Sequence, residues 1–237
     1  MGYMIDGTHA EYVRTPFADT SLYLLPEGLH EDVAVFLSDV LPTSHEIGVR
    51  YGKVKPGDSI AIIGTGPIGM GCVLTAQFYS PATIIAVDTD DHRLALAREL
   101  GATHTINSAQ EDAIQRILDI TGGRGVDCAI EAVGAEPTWN ICQNVVKEGG
   151  HLANVGVHGK SVNFEINKLW IKNLTITTGL VNANTTDMLL KTCCSGKLPM
   201  EKLASHHFKF NEFEKAYDVF KHAADQKAMK VIIDLDE

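Results

Sequence analysis

One glycine pattern constrains the fold of this chain more than any other feature. An apolar stretch at residues 59–63 runs into Gly64-Thr65-Gly66-Pro67-Ile68-Gly69, and a second apolar stretch at residues 83–87 ends on Asp88. A strand followed by G-x-G-x-x-G, a helix and an acidic residue about 20 positions later is typical of a βαβ unit that binds a dinucleotide. The pattern therefore predicts such a unit at residues 59–88.

Each glycine of the pattern has its own steric role. Gly64 allows the tight turn from strand to helix, Gly66 lets the backbone approach a pyrophosphate, and Gly69 lets the helix pack closely on the strand. The phosphates would lie at the helix N-terminus, where unpaired N–H groups and the helix dipole favour an anion. The intervening residues are also candidates for cofactor binding: Thr65, Pro67 and Ile68.

Asp88 indicates which dinucleotide would bind. Its carboxylate would accept hydrogen bonds from the adenosine ribose, and its charge would repel a 2′-phosphate, so the pattern favours NAD over NADP. The alternative is an ordinary tight turn followed by a surface aspartate. The helical stretch after the glycines and the strand that ends on Asp88 favour the cofactor.

Strands and helices alternate through the middle of the chain. Periodicity predicts strands at residues 59–63, 83–88, 103–106, 126–133, 151–156 and 174–180, and helices at 43–53, 67–79, 90–100, 109–120 and 136–147. Such alternation implies right-handed crossovers and a parallel sheet with helices on both faces. The predicted fold class is therefore α/β, with a doubly wound parallel sheet.

The two ends of the chain follow a different pattern. Residues 9–13 and 21–25 predict short strands, the second leading into a turn at residues 26–28. The C-terminal part predicts helices at residues 185–195 and 210–224 and a last strand at 229–233. We expect these ends to be parts of a second structural unit.

Composition and charge exclude several classes of protein. The 237 residues carry a formal net charge of −10 and no basic run, which argues against nucleic-acid and anionic-membrane partners. No apolar run reaches membrane-spanning length, and the first residues lack the layout of a secretory signal. Five cysteines without a C-x-x-C pair suit reduced thiols, and adjacent Cys193 and Cys194 are expected to be core or half-buried. We therefore expect a cytoplasmic protein.

Several further motifs occur in a fixed order along the chain. They are residues 7–13 (GTHAEYV), 26–28 (PEG), 53–58 (KVKPGD), 99–103 (ELGAT) and 122–127 (GGRGVD), together with the glycine pattern. In this order they resemble the medium-chain zinc-type alcohol dehydrogenases over nearly the whole chain. The resemblance implies three parts, namely the end of a mostly β, GroES-like catalytic domain at 1–40, a Rossmann domain at 41–180 and a return to the catalytic domain at 181–237.

The resemblance also assigns roles to individual residues. Asp39 stands where the family completes its catalytic zinc site, and Thr43 where a side chain lies beside the nicotinamide. Arg93 resembles a basic residue that packs on the adenosine, Ile68 one that packs behind the nicotinamide, and Lys230 one that reaches the pyrophosphate. Strand ends that line the cofactor fall at Ala132, Val133, Val155, Gly156 and Val157.

Each of these roles has a structural alternative. Asp39 could cap a helix, Arg93 could be a solvated helix charge, and Lys230 could protect an edge strand. Val133, Val155 and Val157 could be core residues. His206 and His207 are expected on opposite faces of a strand, with a surface or packing role. His45 and His158 are lone histidines for which the sequence indicates no partner and no role.

The resemblance implies an NAD-dependent alcohol dehydrogenase that transfers hydride between a small alcohol or aldehyde and NAD, here as a shortened chain that is inactive when isolated. A catalytic zinc needs three protein ligands, so zinc is possible but its site is incomplete in this chain. The alternatives are a non-catalytic NAD-binding module or assembly partner of full-length subunits, and a nucleotide-binding fold that acts on another ligand. We expect a homodimer or homotetramer in which residues 174–180 pair edge to edge; the alternative is an internal edge strand covered by the C-terminal helices.

Overall fold

Six parallel strands form the central sheet. The structure, a computed structural model, describes residues 4–235. The strands are β1 (Ser59–Ile63), β2 (Thr83–Asp88), β3 (His104–Asn107), β4 (Val126–Glu131), β5 (Val146–Asn154) and β6 (Thr175–Thr178), in the spatial order β3-β2-β1-β4-β5-β6. Each neighbouring pair is parallel, which confirms the predicted fold class. The strand order reverses between β1 and β4, and this reversal places a crevice beyond the carboxyl ends of those two strands.

Helices connect the strands and flank the sheet. In chain order they are α1 (Ala18–Ser21), α2 (Glu31–Ala34), α3 (Val40–Thr43), α4 (Pro67–Ala76), α5 (Asp91–Glu99), α6 (Ala113–Ile120), α7 (Glu136–Val145), α8 (Ile166–Leu169), α9 (Thr186–Cys194) and α10 (Phe213–Lys221). A π-helix, Ser44–Arg50, continues α3. Short 3₁₀ turns occur at Val35–Ser38, Gln77–Tyr79, Trp170–Lys172, Met200–Leu203 and Phe210–Glu212.

The centre of the sheet is buried on both faces, as β1 shows. Successive side chains of a strand point to opposite faces. Ile60 and Ile62 pack in a core cluster with residues of α3, α4 and α9, whereas Ala61 and Ile63 pack in a second cluster with residues of α6 and α7. Burying an isoleucine side chain contributes about 1.5–3 kcal/mol, so these two layers hold the strand ends of the crevice in place.

Several predicted boundaries in the middle of the chain differ from the structure by up to about five residues. Helix α6 begins at Ala113 rather than at 109, because the Asp112 carboxylate accepts the Ile114 N–H at 3.0 Å and caps the helix there. Strand β4 ends at Glu131 rather than at 133, because the Glu131 carboxylate accepts the N–H groups of Val133 and Gly134. Strand β5 covers 146–154 rather than 151–156, since the chain becomes extended directly after α7.

The predicted strands at residues 9–13 and 21–25 are absent from the described part of the chain. Single-turn helix α1 and irregular backbone occupy this region instead. A strand needs a neighbour for its N–H and C=O groups, and none of the described residues supplies one here. Tyr12 and Leu24 consequently stay 91% and 95% exposed.

The C-terminal part adds a small second sheet. Strands β7 (Ala204–Lys209) and β8 (Lys230–Asp234) pair in parallel, and α10 packs against both. The predicted last strand is therefore confirmed with a shift of one residue. The helix predicted at 210–224 is shorter, with a 3₁₀ turn before α10.

Candidate functional site

The glycine pattern forms the turn between β1 and α4 at the edge of the crevice. Gly64 has φ +97°, a conformation that favours glycine, and its N–H donates to the Val87 carbonyl at 2.8 Å. A Cβ at Gly69 would collide with the Gly64 carbonyl oxygen, so α4 lies directly on the turn. A Cβ at Gly66 would meet nothing within 4 Å. Gly64 and Gly69 are thus required by the turn itself, whereas Gly66 faces open space.

The first turn of α4 is suited to an anion. Gly66 is the N-cap residue and Pro67 the first helical residue, and no side chain of the described residues caps the helix. The N–H groups of a helix's first turn need partners, and a glycine cap supplies no side-chain acceptor. The positive end of the helix dipole lies at the same point. A phosphate group placed beside Gly66 would satisfy these donors.

The Asp88 carboxylate is tied to the glycine turn. Its Oδ2 accepts the Thr65 N–H at 2.7 Å and the Thr65 hydroxyl at 2.9 Å, while Oδ1 accepts the N–H groups of Thr89 and Asp90 at 2.8 and 3.1 Å. Arg93 lies in the first turn of α5, with Nε 3.9 Å from Asp90 Oδ2. The structure therefore brings together the acidic residue, the turn and the basic residue predicted from sequence. The link through Thr65 was not predicted, although a hydroxyl residue inside the glycine pattern is its signal.

The predicted strand-end residues lie together beyond the carboxyl ends of β4 and β5: Ala132, Val133, Val155, Gly156 and Val157. Val133 and Val157 are 51% and 90% exposed, so the alternative that they are core residues is wrong. They follow the last paired residues of β4 and β5, Glu131 and Asn154, and therefore lie outside the layer between sheet and helices. Val155 packs against the core, in agreement with the alternative that it is a core residue.

A buried glutamate organises these strand ends and was missed by sequence reasoning. Glu131 is fully buried, and its carboxylate accepts the Gly134 N–H at 2.9 Å and the Thr138 hydroxyl at 2.6 Å. Nε2 of His158 lies 3.4 Å from Glu131 Oε2 and 2.8 Å from Asn154 Oδ1. His158 therefore has structural partners, although none was identified from the sequence. An acidic residue that ends a buried apolar strand was the available signal.

Asp39 and Thr43 form a pair across the single turn of α3, from its N-cap position to its last residue. Asp39 occupies the N-cap position, but its carboxylate accepts the Thr43 hydroxyl at 2.8 Å and makes no cap hydrogen bond to the helix backbone. The side-chain capping alternative is therefore wrong. No group of three or more His, Cys, Asp or Glu side chains within residues 4–235 could hold a metal ion. A zinc ion does not fit Asp39 alone, because a protein zinc site needs at least three side-chain ligands.

The C-terminal candidates lie on the second sheet. Lys230 begins β8 and lines a cavity of about 190 Å³ together with His9, Tyr217 and Phe220. Its predicted contact with a pyrophosphate stays a prediction. The exposed His207 lies between two carboxylates, with Nε2 3.4 Å from Asp32 Oδ2 and Nδ1 3.3 Å from Asp234 Oδ2, in agreement with a surface role.

The cysteine thiols of the core are unreactive. Burial raises the pKa of Cys72 to about 12 and that of Cys193 to about 11. A thiol must ionise to attack or to bind a metal, so neither residue takes part in such chemistry at neutral pH. Cys193 is buried and Cys194 is exposed, so the expectation that both are core or half-buried is wrong for Cys194.

Among the helices of residues 4–235, none combines the length and apolar character needed to cross a bilayer.

Comparisons with known proteins agree with this geometry. The sequence pattern of the zinc-binding dehydrogenase family matches residues 67–192, which is more than half of the chain. The apo structure of a zinc-dependent alcohol dehydrogenase 2 from Streptococcus pneumonia is 54% identical, with a TM-score of 0.93 over 98% of this chain and 67% of that one. A zinc-binding dehydrogenase of Sinorhizobium meliloti 1021, solved bound to NADP, is 25% identical, with a TM-score of 0.80 over 88% of this chain and 61% of that one.

A curated relative gives the same result from sequence. The alcohol dehydrogenase of Cupriavidus necator is 33% identical over 228 residues, which are 94% of this chain. The chain spans 62% of the length of that relative. The ordered motifs, the strand order and these matches have one explanation: the chain belongs to the zinc-binding dehydrogenase family.

Proposed function

We propose that this chain binds NAD in the crevice and forms the cofactor-binding part of an NAD-dependent alcohol dehydrogenase. The observation that carries the proposal is the Asp88 carboxylate, held by Thr65 beside the uncapped first turn of α4. An acidic side chain and a set of N–H donors at one end of the same βαβ unit match the ribose and pyrophosphate of a dinucleotide.

The two halves of the sheet support one orientation of the proposed cofactor. A doubly wound sheet binds one mononucleotide on each side of the strand-order reversal. Asp88 and Arg93 follow β2, so the adenosine belongs there. In this proposal the nicotinamide half lies over β4, β5 and β6. Thr43 and Ile68 and the exposed side chains of Val133 and Val157 would contact it there. Lys230 would approach the pyrophosphate once the cofactor is bound.

Asp88 supports NAD over NADP. A 2′-phosphate on the adenosine ribose would carry negative charge to the position where this carboxylate is fixed, and like charges at close range repel. The NADP-bound relative shows that the fold also accepts NADP. We therefore attribute the proposed preference of this chain for NAD to the charge at the end of β2.

The proposed substrates of the whole enzyme are small alcohols or aldehydes, as the names of the relatives suggest. Within residues 4–235 the chain offers Asp39 as one candidate metal ligand and no complete site. We therefore assign no reaction step to a metal in this chain. A homodimer or homotetramer, formed through the free edge of β6, and a cytoplasmic location remain parts of the proposal.

Calorimetry tests the cofactor assignment directly. Titration of the folded chain with NADH should give saturable binding with a stoichiometry of one per chain, and NADPH should bind at least about tenfold more weakly, which corresponds to 1.4 kcal/mol. The control is the Asp88→Asn variant, in which the preference should shrink. Absence of NADH binding by a chain that melts cooperatively would refute the proposal.

A non-catalytic NAD-binding module is the second candidate. It is favoured by the incomplete metal site in the described part of the chain. Alcohol oxidation assayed with NAD and added Zn²⁺ separates the two candidates. Cofactor binding together with no turnover identifies a binding module, whereas turnover identifies an enzyme.

A further inference from the structure

The π-helix Ser44–Arg50 lies next to the crevice and contains two buried side chains that reach other elements. Its wide turns are seen in the hydrogen bonds from Tyr51 N–H to the Glu46 carbonyl at 3.1 Å and from Val54 N–H to the Val49 carbonyl at 3.3 Å. π-Helical turns are rare and occur frequently at functional sites. The reason for this one is found in what Ser44 and Glu46 contact.

Ser44 fixes the start of α4. Its Oγ lies 2.7 Å from the Val40 carbonyl oxygen and 2.8 Å from the Ile68 carbonyl oxygen, so the hydroxyl can donate to either. A Cβ at Gly71 would collide with the Ser44 hydroxyl, which shows how closely the π-helix and α4 approach each other. The first turn of α4, where we place the pyrophosphate, is therefore held from the π-helix.

Glu46 fixes a different segment, the loop at residues 179–185 that follows β6. Its Oε1 accepts the Thr185 N–H and the Thr185 hydroxyl, both at 2.8 Å, and its Oε2 accepts the Asn182 N–H at 3.2 Å. Glu46 and Thr185 are only 6% and 7% exposed. A buried carboxylate is stable only with such partners, and its hydrogen bonds are stronger than those between neutral groups.

The position of this loop gives the contact its meaning. The loop leaves the carboxyl end of β6, on the side of the sheet opposite to Asp88. At its beginning, a Cβ on Gly179 would lie 3.2 Å from Tyr51 Cε2, so the loop rests on the end of the π-helix. Leu180 is 80% exposed at the same edge. The loop thus borders the half of the crevice that would receive the second mononucleotide.

We propose that Glu46 is a positioning residue that holds loop 179–185 in the conformation that meets the nicotinamide half of the cofactor. The inference rests on the proposed function. Ser44 and Glu46 are two residues apart on one π-helix; Ser44 contacts the first turn of α4, and Glu46 contacts loop 179–185. The π-helix therefore sets the distance between the pyrophosphate site and the nicotinamide site.

The test compares two ligands that share the adenosine half. ADP-ribose has the adenosine, pyrophosphate and both riboses but lacks the nicotinamide ring, whereas NADH has all of them. In Glu46→Gln the amide NH₂ faces the Asn182 N–H, so one hydrogen bond is lost and two donors oppose each other. Losing this bond should raise the Kd of NADH about tenfold and leave the Kd of ADP-ribose within about twofold of the wild-type value.

Hydrogen exchange supplies a second readout. The amides of Asn182 and Thr185 should exchange faster in Glu46→Gln than in the wild-type chain, while the amides of β1 and α4 should keep their protection. Thr185→Ser, which retains the hydroxyl, should behave like the wild type. Thr185→Val removes only the Thr185 hydroxyl from the three donors to Glu46. If Glu46→Gln does not fold, the NADH and ADP-ribose titrations are made with Thr185→Val instead.

The outcomes are distinct. A loss confined to NADH supports the positioning role. An equal rise in the Kd of both ligands overturns it, because Glu46 would then stabilise the fold as a whole. Unchanged Kd values for both ligands also overturn it, because Glu46 would then have no effect on cofactor binding. If the wild-type chain binds neither ligand, the proposed function itself fails, and this failure is visible before any variant is made.

Discussion

Alanine substitutions at Gly66 and Gly69 should separate cofactor binding from folding. Both residues belong to the same turn and have backbone conformations without positive φ. A Cβ at Gly66 meets nothing within 4 Å, whereas a Cβ at Gly69 collides with the Gly64 carbonyl oxygen. The two variants therefore add the same methyl group three residues apart, one into open space and one into a packed contact.

The size of each effect follows from these surroundings. Gly66→Ala keeps φ −68°, an ordinary value, so the free energy of unfolding should stay constant or rise by about 0.4–1 kcal/mol. Gly69→Ala forces α4 away from the turn, and overpacking of this kind costs about 1–3 kcal/mol. A phosphate oxygen that accepts a backbone N–H lies about 2.9 Å from the nitrogen. A methyl group at Gly66 would hold that oxygen about 3.5 Å from its carbon, and so away from the N–H groups of the turn. Gly66→Ala should therefore lose about one charged hydrogen bond, worth about 1.5–3 kcal/mol, and raise the Kd of NADH about 10- to 150-fold.

Chemical denaturation and NADH titration of both variants provide the assay. We expect Gly66→Ala to be as stable as the wild type with weakened binding, and Gly69→Ala to be destabilised. Gly66→Ala that binds NADH with the wild-type Kd would refute the reasoning, since the open space beside α4 would then not be where the pyrophosphate lies.

Three further predictions concern other parts of the molecule. Asp88→Asn should raise the Kd of NADH about tenfold and reduce the ratio of the NADPH Kd to the NADH Kd, both measured by calorimetry. An unchanged ratio would contradict the role of the Asp88 charge. Burial lowers the pKa of His45 to about 4, below the unfolded value near 6.5, so unfolding takes up a proton as the pH falls. The free energy of unfolding should decrease by roughly 3 kcal/mol from pH 7 to pH 4, and His45→Phe should lack this part of the pH dependence in denaturant titrations. Ile176→Lys, on the edge strand β6, should convert a dimer into a monomer in sedimentation; a wild-type monomer at micromolar concentration would exclude pairing through this edge.

Much of the central sheet could be predicted from the sequence because its signals are local. The strand of residues 59–63, the glycines and the strand ending on Asp88 lie within one βαβ unit, where propensity, periodicity and turn chemistry all agree. The structure has β1 and β2 with the predicted bounds. The strands predicted at residues 9–13 and 21–25 failed because pairing depends on a partner strand, which the local sequence does not reveal.

The sequence by itself determined the fold class, the glycine turn and the acidic residue beside it, since each depends on neighbours within a short stretch of chain. Only the tertiary structure decided which buried side chains hold the crevice together. Glu46 reaches Thr185, a contact between residues 139 positions apart, and Glu131 comes within 3.4 Å of His158. Such contacts depend on the strand order of the whole sheet, because that order brings segments that are distant in sequence to one edge. The exposure of Val133 and Val157 was also decided by the tertiary structure. A valine in an apolar run is expected to be a core residue unless the position at which its strand ends is known.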